Sequence, residues 1–214
     1  MRGELFNALL HFNSNENENK EGVWETFWEN GQLKSKVNFK DGKEDGLWVE
    51  YHTNGQLRYK VKYKNGKKEG VRQTYWSDGP LYSKGKFKDG KKEGLWQTYW
   101  SNGQLYSKVK YRDGKEDGFY ESYDENGQLS SKGNYIDGKR EGLWEESDWL
   151  INSTGKGNYK DGKKEGLWEY YYEDGQLRDK GNYKDGKEDG PWEWYDKNGK
   201  VTGNSTYKDG IIIK

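Results

Sequence analysis

The chain has 214 residues, with 37 Lys and Arg against 37 Asp and Glu, and hydrophobic residues make up only 29% of it. This composition excludes a thick, closed aliphatic core, while 16% aromatic residues argue against the disorder that high charge alone would suggest. The absence of cysteine excludes a disulfide framework and a thiolate metal site. A thin β-structure, wetted by solvent on much of its surface, fits these totals.

The first segment, residues 1–19, is expected to cap the array and to link to it. Leu5, Phe6, Leu9 and Leu10 have the spacing of a short amphipathic helix, and the Asn- and Glu-rich residues 13–19 indicate a flexible link. The segment lacks a continuous apolar core and a small-residue cleavage site, so no signal peptide is expected. No apolar run is long enough to span a bilayer. We therefore expect a soluble, cytoplasmic protein.

Residues 20–210 are organised by a period of 24 residues, without insertion or deletion. We number the units from Lys20, so that unit two begins at Glu44. Several aromatic columns hold the same phase over eight units, which indicates a repeat architecture. A glycine marks each unit at Gly22, Gly46, Gly70, Gly94, Gly118, Gly142, Gly166 and Gly190.

Each unit except the sixth contains two Asn-Gly or Asp-Gly turn signals, such as Asn102-Gly103 and Asp113-Gly114 in unit four. Such dipeptides between β-prone runs are a strong hairpin signal. The segments between them have strand length, and the recurring glycines disfavour helix. The predicted fold class is therefore all-β: an elongated, single-layer, twisted antiparallel sheet of eight tandem hairpins with sixteen strands, preceded by the short N-terminal helix.

Alternation along the strands predicts which side chains share a face. In unit four, Leu105, Val109 and Tyr111 are expected on one face, and Lys108 and Lys110 on the other. Trp96 and Trp100 are likewise expected opposite Leu95 and Tyr99. One column alternates valine with glycine, and a ring from a neighbouring strand can cover a bare glycine backbone. We therefore predict that tryptophan rings lie over these glycines, at Gly85, Gly133, Gly157 and Gly181.

Two units depart from the pattern. Unit three has Arg72 in place of the tryptophan and Pro80 after its turn glycine, which we interpret as drift. Unit six has no Asn-Gly turn, and its tip carries Trp149, Leu150 and Ile151 instead. Three adjacent apolar residues are unusual in an exposed turn, so either the tip packs on its own sheet or it is a contact site. Residues 211–214 form a tail in which Ile211–Ile213 is expected to be a last strand fragment.

The pattern EGLWxxYxxNGQLxxKxxYKDGKxEG, shown most fully by residues 91–114, resembles the MORN repeat variant of the antitoxin-like YwqK family. The resemblance extends over about residues 20–210. It implies an elongated sheet of stacked hairpins and a role in binding proteins or membranes. For this chain it implies a non-enzymatic, protein-binding scaffold, with an antitoxin-like inhibitor of a toxin, nuclease or other enzyme as the expected form.

The charge distribution limits the alternatives. Residues 1–120 have 22 basic and 17 acidic residues, a net charge of +5, and residues 121–214 have a net charge of −5. A protein that binds nucleic acid along its length should be basic throughout, so RNA binding on aromatic columns is a minor alternative. The aromatic face beside lysines leaves open a peripheral lipid-binding or self-associating role, including a homodimer.

Catalytic chemistry is poorly supplied. The two histidines lie in different contexts, no glycine-rich loop has phosphate-binding spacing, and the acidic residues occupy repeating columns. The Asp-Gly-Lys-x-Glu turn lacks the alternating Asp ligands of a calcium loop, so no cofactor or metal is expected. If the chain presents a contact surface, the sequence favours the residues Trp96, Tyr99, Trp100, Trp149, Leu150 and Ile151.

Overall fold

A computed structural model of the chain describes residues 20–148, 151 and 153–214. These residues form one open antiparallel sheet of eighteen strands in hairpin repeats, and they contain no helix. None of the described segments is a helix that could cross a membrane. The expected N-terminal helix at residues 5–10 lies outside the described residues.

Each strand pairs with its sequence neighbours, except that the third and fourth strands both pair with the second and not with each other. The strands are β1 Gly22–Phe27, β2 Leu33–Lys40, β3 Lys43–Glu44, β4 Gly46–Tyr51, β5 Leu57–Lys64, β6 Lys67–Tyr75, β7 Leu81–Lys88, β8 Lys91–Tyr99, β9 Leu105–Arg112, β10 Lys115–Tyr123, β11 Leu129–Ile136, β12 Lys139–Asp148, β13 Ser153–Lys160, β14 Lys163–Tyr172, β15 Leu177–Lys184, β16 Lys187–Tyr195, β17 Val201–Lys208 and β18 Ile211–Ile212. The count exceeds the predicted sixteen because β3 and β4 share one partner, β2, and β18 is an added fragment. The last fragment confirms that Ile211 and Ile212 form a strand.

The turns adopt the backbone geometry that their sequences predict. Asp113 has φ of 50° and Gly114 has φ of 89°, and Asp or Asn occupies the same left-handed position in every unit. A carboxylate from the preceding turn region supports this position. For example, Glu93 Oε2 accepts a hydrogen bond from the Asp113 N–H at 3.1 Å. The same acceptor recurs at Glu21, Glu69, Glu141 and Glu165.

Each standard hairpin contains one bulge near its tip. Thr98 pairs with Ser107 whereas Tyr99 pairs with Leu105, so Tyr106 is an extra residue. The predicted face for Leu105 is therefore wrong. The bulge makes Leu105 the cross-strand partner of Tyr99, on the same face as Tyr99 and not on the face of Val109. The β12–β13 pairing of unit six has no such shift and runs in register from Gly142–Tyr159 to Asp148–Ser153.

We call the two sides of the sheet the aromatic face and the lysine face. The aromatic face bears Trp96, Trp144, Trp168 and Trp192, which are at most 6% exposed, together with the flanking tyrosine column. Edge-to-face contacts join these rings from unit to unit, for example Trp144 with Tyr135 at 5.2 Å between centroids and with Tyr159 at 5.8 Å. The ladder of rings takes the place of a second layer.

The predicted covering of glycines by tryptophans is confirmed. A β-carbon added at Gly85, Gly133, Gly157 or Gly181 would lie between 2.1 and 2.3 Å from the ring of the tryptophan on the next strand. The indole N–H groups of Trp96, Trp144 and Trp168 also donate to the carbonyl one residue beyond the glycine, at 3.1–3.2 Å. Where the column holds Val37, Val61 or Val109 instead, the facing residue is Trp48, Arg72 or Tyr120, and each is only half-buried.

Candidate functional site

The lysine face carries an exposed apolar column, with one residue from each of units one to seven. Strand alternation places these side chains opposite the buried tryptophans, because each precedes the tryptophan position by one residue. They are between 44% and 67% exposed. The column consists of Val23, Leu47, Val71, Leu95, Phe119, Leu143 and Leu167. One apolar side chain recurs about every 10 Å along the sheet, since each unit contributes two strands.

A lysine column runs beside it, and most of its members are paired with carboxylates. Lys108 Nζ lies 2.6 Å from Glu121, Lys132 lies 3.1 Å from Glu145, and the same arrangement holds at the other paired sites. The remaining pairs are Lys36 with Glu25, Lys156 with Glu145, and Lys180 with Glu193. The hydrogen bond to Glu121 raises the pKa of Lys108, and the bond to Glu25 raises the pKa of Lys36. These cations are fixed by neighbours in the sheet.

Lys60 and Lys84 occupy the same column without a carboxylate partner. Register places Val49 and Gln73 on either side of Lys60, and Gln73 and Gln97 on either side of Lys84. Among the described residues no ion pair forms at either lysine. The lysine face is therefore electrostatically divided: the stretch from β4 to β8 has free cations, and the stretch from β10 to β16 has compensated ones.

The aromatic face also carries cations, but they cover rings rather than project into solvent. Lys92 Nζ lies 4.7 Å from the Trp96 ring centroid, and Lys164 Nζ lies 3.8 Å from that of Trp168. Burial lowers the pKa of Lys92 and of Lys164. These side chains cap the tryptophan ladder and belong to the packing of the sheet.

Unit six carries a charged cluster on this face. Glu146 occupies the position that is Thr or Ser in units one, three, four and five, and its carboxylate accepts hydrogen bonds from Arg140 and from the Tyr159 hydroxyl, the latter at 2.9 Å. Lys164 Nζ lies 3.4 Å from the same carboxylate. Arg140, Glu146 and Lys164 border a surface cavity of about 440 Å³. Its cations are compensated internally, because Arg178 likewise pairs with Asp179 at 2.7 Å.

The structure separates the six residues that the sequence favoured for contact. Trp96 is 6% exposed and packs inside the aromatic face, so its ring is not available to a partner without rearrangement. Tyr99 and Trp100 are half-buried, and the Trp100 indole donates to the Tyr123 carbonyl of the next unit at 3.1 Å. Ile151 is 55% exposed. Trp149 and Leu150 lie outside the described residues.

Sequence reasoning missed the exposed apolar column. Its signal was available, because an aliphatic residue or Phe119 immediately precedes the tryptophan position in seven units. The large aromatic rings were predicted to form the contact surface, but the tryptophans among them are packed against the backbone of the sheet. Among the described residues, no cluster of three or more His, Asp or Glu side chains could hold a metal ion.

A family model described as "MORN repeat variant" matches the chain at residues 20–41, 44–65, 92–113, 116–137, 164–185 and 188–209. Together these stretches cover more than half of the chain. Within the repeats, the two units that are not matched are units three and six, the two that depart from the pattern. No curated protein sequence matches the chain.

Two solved structures show partial similarity. One is entitled "Crystal structure of GtfA/B complex bound to UDP and GlcNAc" and is 18% identical, with a TM-score of 0.21 over 55% of this chain and 23% of that chain. The other, of accessory secretory proteins 1, 2 and 3 in Streptococcus pneumoniae, is 12% identical, with a TM-score of 0.15 over 65% of this chain and 19% of that chain. The chain thus spans less than a quarter of either chain's length. Similarity at this level carries no argument about function.

Proposed function

Because this chain belongs to the MORN repeat variant family, whose repeats commonly serve as scaffolds that bind proteins or membranes, we propose that it is a non-enzymatic scaffold that binds a protein partner. The observation that carries the proposal is the apolar column of the lysine face. The packing of the sheet does not require an apolar side chain at this position in seven successive units, each between 44% and 67% exposed and all aligned on one face. Such a line offers an extended strip that a partner can cover.

The finer proposal is an antitoxin-like inhibitor. A rigid, elongated sheet with pre-formed contacts loses little conformational entropy on binding and can cover the working surface of a toxin, nuclease or other enzyme. We propose that this activity takes place in the cytoplasm. The chain has no cysteine, so its folding does not depend on the oxidising compartment that disulfides require.

The test uses the full chain immobilised as bait for proteins of its host. A variant with Leu95→Ser, Leu143→Ser and Leu167→Ser removes three members of the apolar column. Its control, Ile136→Ser with Val201→Ser and Ile211→Ser, removes three comparably exposed aliphatic residues outside the column. The proposal predicts a stoichiometric protein that the wild-type and control chains retain and the column variant loses. The antitoxin form further predicts that this protein arrests growth when expressed alone and not when co-expressed with the chain.

Recovery of no stoichiometric protein by the wild-type chain would argue against the scaffold role. A captured protein that is harmless on its own would keep the scaffold and remove the inhibitor.

A peripheral membrane role is the second candidate, and the free lysines beside Leu47, Val71 and Leu95 favour it. Flotation with vesicles containing phosphatidylglycerol at low ionic strength tests it directly. Failure of the chain to float with these vesicles removes this candidate.

A further inference from the structure

Resting on the scaffold function proposed above, we propose that strands β4–β9 of the lysine face form a docking patch for an acidic protein surface. We define the lysine patch as Lys60, Lys62, Lys84, Lys86 and Lys110. It surrounds Leu47, Val71 and Leu95 of the apolar column, which are each at least half exposed.

The second row of this patch occurs only in units two to four. Lys62, Lys86 and Lys110 stand directly across from Leu47, Val71 and Leu95. The corresponding position is asparagine in units one, five, six and seven, and threonine in unit eight. Cations are therefore concentrated at one place in the array, and the repeat itself does not require them.

Compensation within the sheet is weak at this place. Register brings Glu69 across from Lys62 and Glu93 across from Lys86. Both carboxylates are engaged elsewhere, since Glu69 accepts the Asp89 N–H at 3.0 Å and Glu93 accepts the Asp113 N–H at 3.1 Å. Among the described residues, none of the five patch lysines has a carboxylate oxygen within ion-pairing distance. Asp117 occupies the corresponding position beside Lys110 and pairs with Arg112 at 2.8 Å. The patch therefore has five cations against three carboxylates that have other partners.

The geometry of the patch is regular. Lys60 and Lys62 are two residues apart on one strand and so about 7 Å apart at their α-carbons, while Lys60 and Lys84 are two strands apart, about 10 Å. Ammonium groups in such a lattice, with aliphatic side chains between them, complement carboxylates that surround an apolar centre. Ordering the long lysine side chains costs conformational entropy. Ion pairs with carboxylates of a partner can offset this cost, whereas hydrogen bonds to water do not order the side chains.

Two other classes of partner fit less well. A single-stranded nucleic acid is usually held by a series of stacked rings, and most rings of this protein lie on the opposite face. The ring of Tyr99, beside the patch, is already covered by Lys84, whose Nζ lies 5.7 Å from its centroid. An anionic bilayer lying along the sheet would meet the acidic column Glu121, Glu145, Glu169 and Glu193 of the same face, within a half whose net charge is −5. A protein surface can be confined to units two to four, where the free cations are.

The experiment measures binding of fluorescein-labelled poly-L-glutamate to the full chain by fluorescence anisotropy at low ionic strength. The patch variant carries Lys60→Gln, Lys62→Gln, Lys84→Gln and Lys86→Gln. The matched control carries Lys36→Gln, Lys132→Gln, Lys156→Gln and Lys180→Gln, and so removes the same charge from lysines that already have carboxylate partners. Circular dichroism and thermal midpoints verify that both variants fold.

We expect the patch variant to lose at least about tenfold in affinity, as four modest surface contacts together would, and the control to lose about twofold or less. Equal losses in the two variants would show an effect of net charge alone and would overturn the proposal. Failure of the wild-type chain to bind the polymer would also overturn it. Tighter binding to phosphatidylglycerol vesicles or to polyuridylate, lost in the patch variant, would assign the patch to a different class of partner.

The same variants separate this inference from the scaffold function. A host protein that is captured by the wild-type chain and equally by the patch variant would leave the scaffold function in place and overturn the docking patch. Absence of any captured protein would count against the scaffold function, while polymer binding reports on the patch independently.

Discussion

The ring of Trp144 occupies the space that a side chain on Gly133 would need, with Cδ2 2.2 Å from the position of an added β-carbon. The indole is fully buried there and donates to the Asn134 carbonyl at 3.2 Å. Unit five shows the alternative arrangement, in which Val109 faces the half-buried Tyr120. Each tryptophan that faces a glycine in this column is buried, whereas Trp48, which faces Val37, is only half-buried.

We predict that Gly133→Val lowers the free energy of unfolding by about 3 kcal/mol, because Trp144 must leave a closely packed position. The double variant Gly133→Val with Trp144→Tyr reproduces the Val109–Tyr120 pair and should recover about half of the loss. Urea unfolding followed by tryptophan fluorescence measures both. Gly203→Ala is the control, since its added carbon would meet only Trp194 at an ordinary 3.7 Å and should cost little. Equal losses at the two glycines would contradict the interpretation.

A second prediction concerns the buried hydroxyl pair of unit three. Thr74 and Ser83 are each 8% exposed, and their hydroxyl oxygens are hydrogen-bonded to each other. Thr74→Val should cost about 1–2 kcal/mol because it leaves the Ser83 hydroxyl without its partner. Adding Ser83→Ala should cost less than the two single changes combined, and a double-mutant cycle from unfolding curves measures the difference. Strict additivity would show that the bond makes no net contribution.

The third prediction is a dependence of stability on pH. The hydrogen bonds from Tyr195 and Lys180 hold the pKa of Glu193 below its usual range. At Glu121 burial acts in the opposite direction, but hydrogen bonds from Lys108 and Tyr123 outweigh it and the pKa is again lowered. A carboxylate with a lower pKa in the folded state stabilises that state at neutral pH, and this contribution is lost as the pH falls below about 4.5.

The variant Glu121→Gln with Glu193→Gln should therefore show a shallower fall in thermal midpoint between neutral and acidic pH than the wild type. Glu173→Gln, at an exposed carboxylate that forms no ion pair within the described part of the chain, serves as the control and should leave the acid profile unchanged. An unchanged slope in the double variant would remove these two carboxylates from the account of acid stability.

The fourth prediction compares the two kinds of lysine on the lysine face. Lys132→Gln with Lys156→Gln breaks both ion pairs of Glu145 and should lower stability by up to about 1 kcal/mol at low salt. Lys60→Gln with Lys84→Gln removes cations that have no carboxylate partner and should leave the thermal midpoint unchanged or slightly higher. Added salt should reduce the difference between the two variants. A larger loss in the second variant would mean that the free lysines stabilise the sheet.

The repeat allowed much of this fold to be predicted from sequence. The Asp113-Gly114 type of turn has one favourable backbone geometry, and the Gly85–Trp96 packing follows from two columns read together. The same packing leaves Trp96 only 6% exposed, so the prediction that its ring covers Gly85 was confirmed and was incompatible with a contact role for that ring. The position of Leu105 was missed because the bulge at Tyr106 has no marker residue and arises from the pairing of the two strands.

The contact site was the least accessible to sequence reasoning. Whether Lys60 forms an ion pair depends on the residues that face it on the two adjacent strands. These are Val49, 11 residues before it, and Gln73, 13 residues after it. Once the pairing is known, Val49 and Gln73 explain the absence of an acid at once. The tip of unit six, with Trp149 and Leu150, stays a prediction.

Hydrogen bonds between units span a fixed separation, as when the Trp28, Trp76 and Trp100 indoles each donate to a carbonyl 23 residues onward. Because the pairing of strands between successive units repeats with the same period, a gene that gained or lost one copy of 72 bases, or about 10 Å of protein, would keep the same kind of junction on both sides. The length of the molecule can therefore change by whole steps during evolution without a refolded core. The length of sheet that can contact a partner can therefore increase or decrease by one unit, which is not possible for a globular domain with a single closed core.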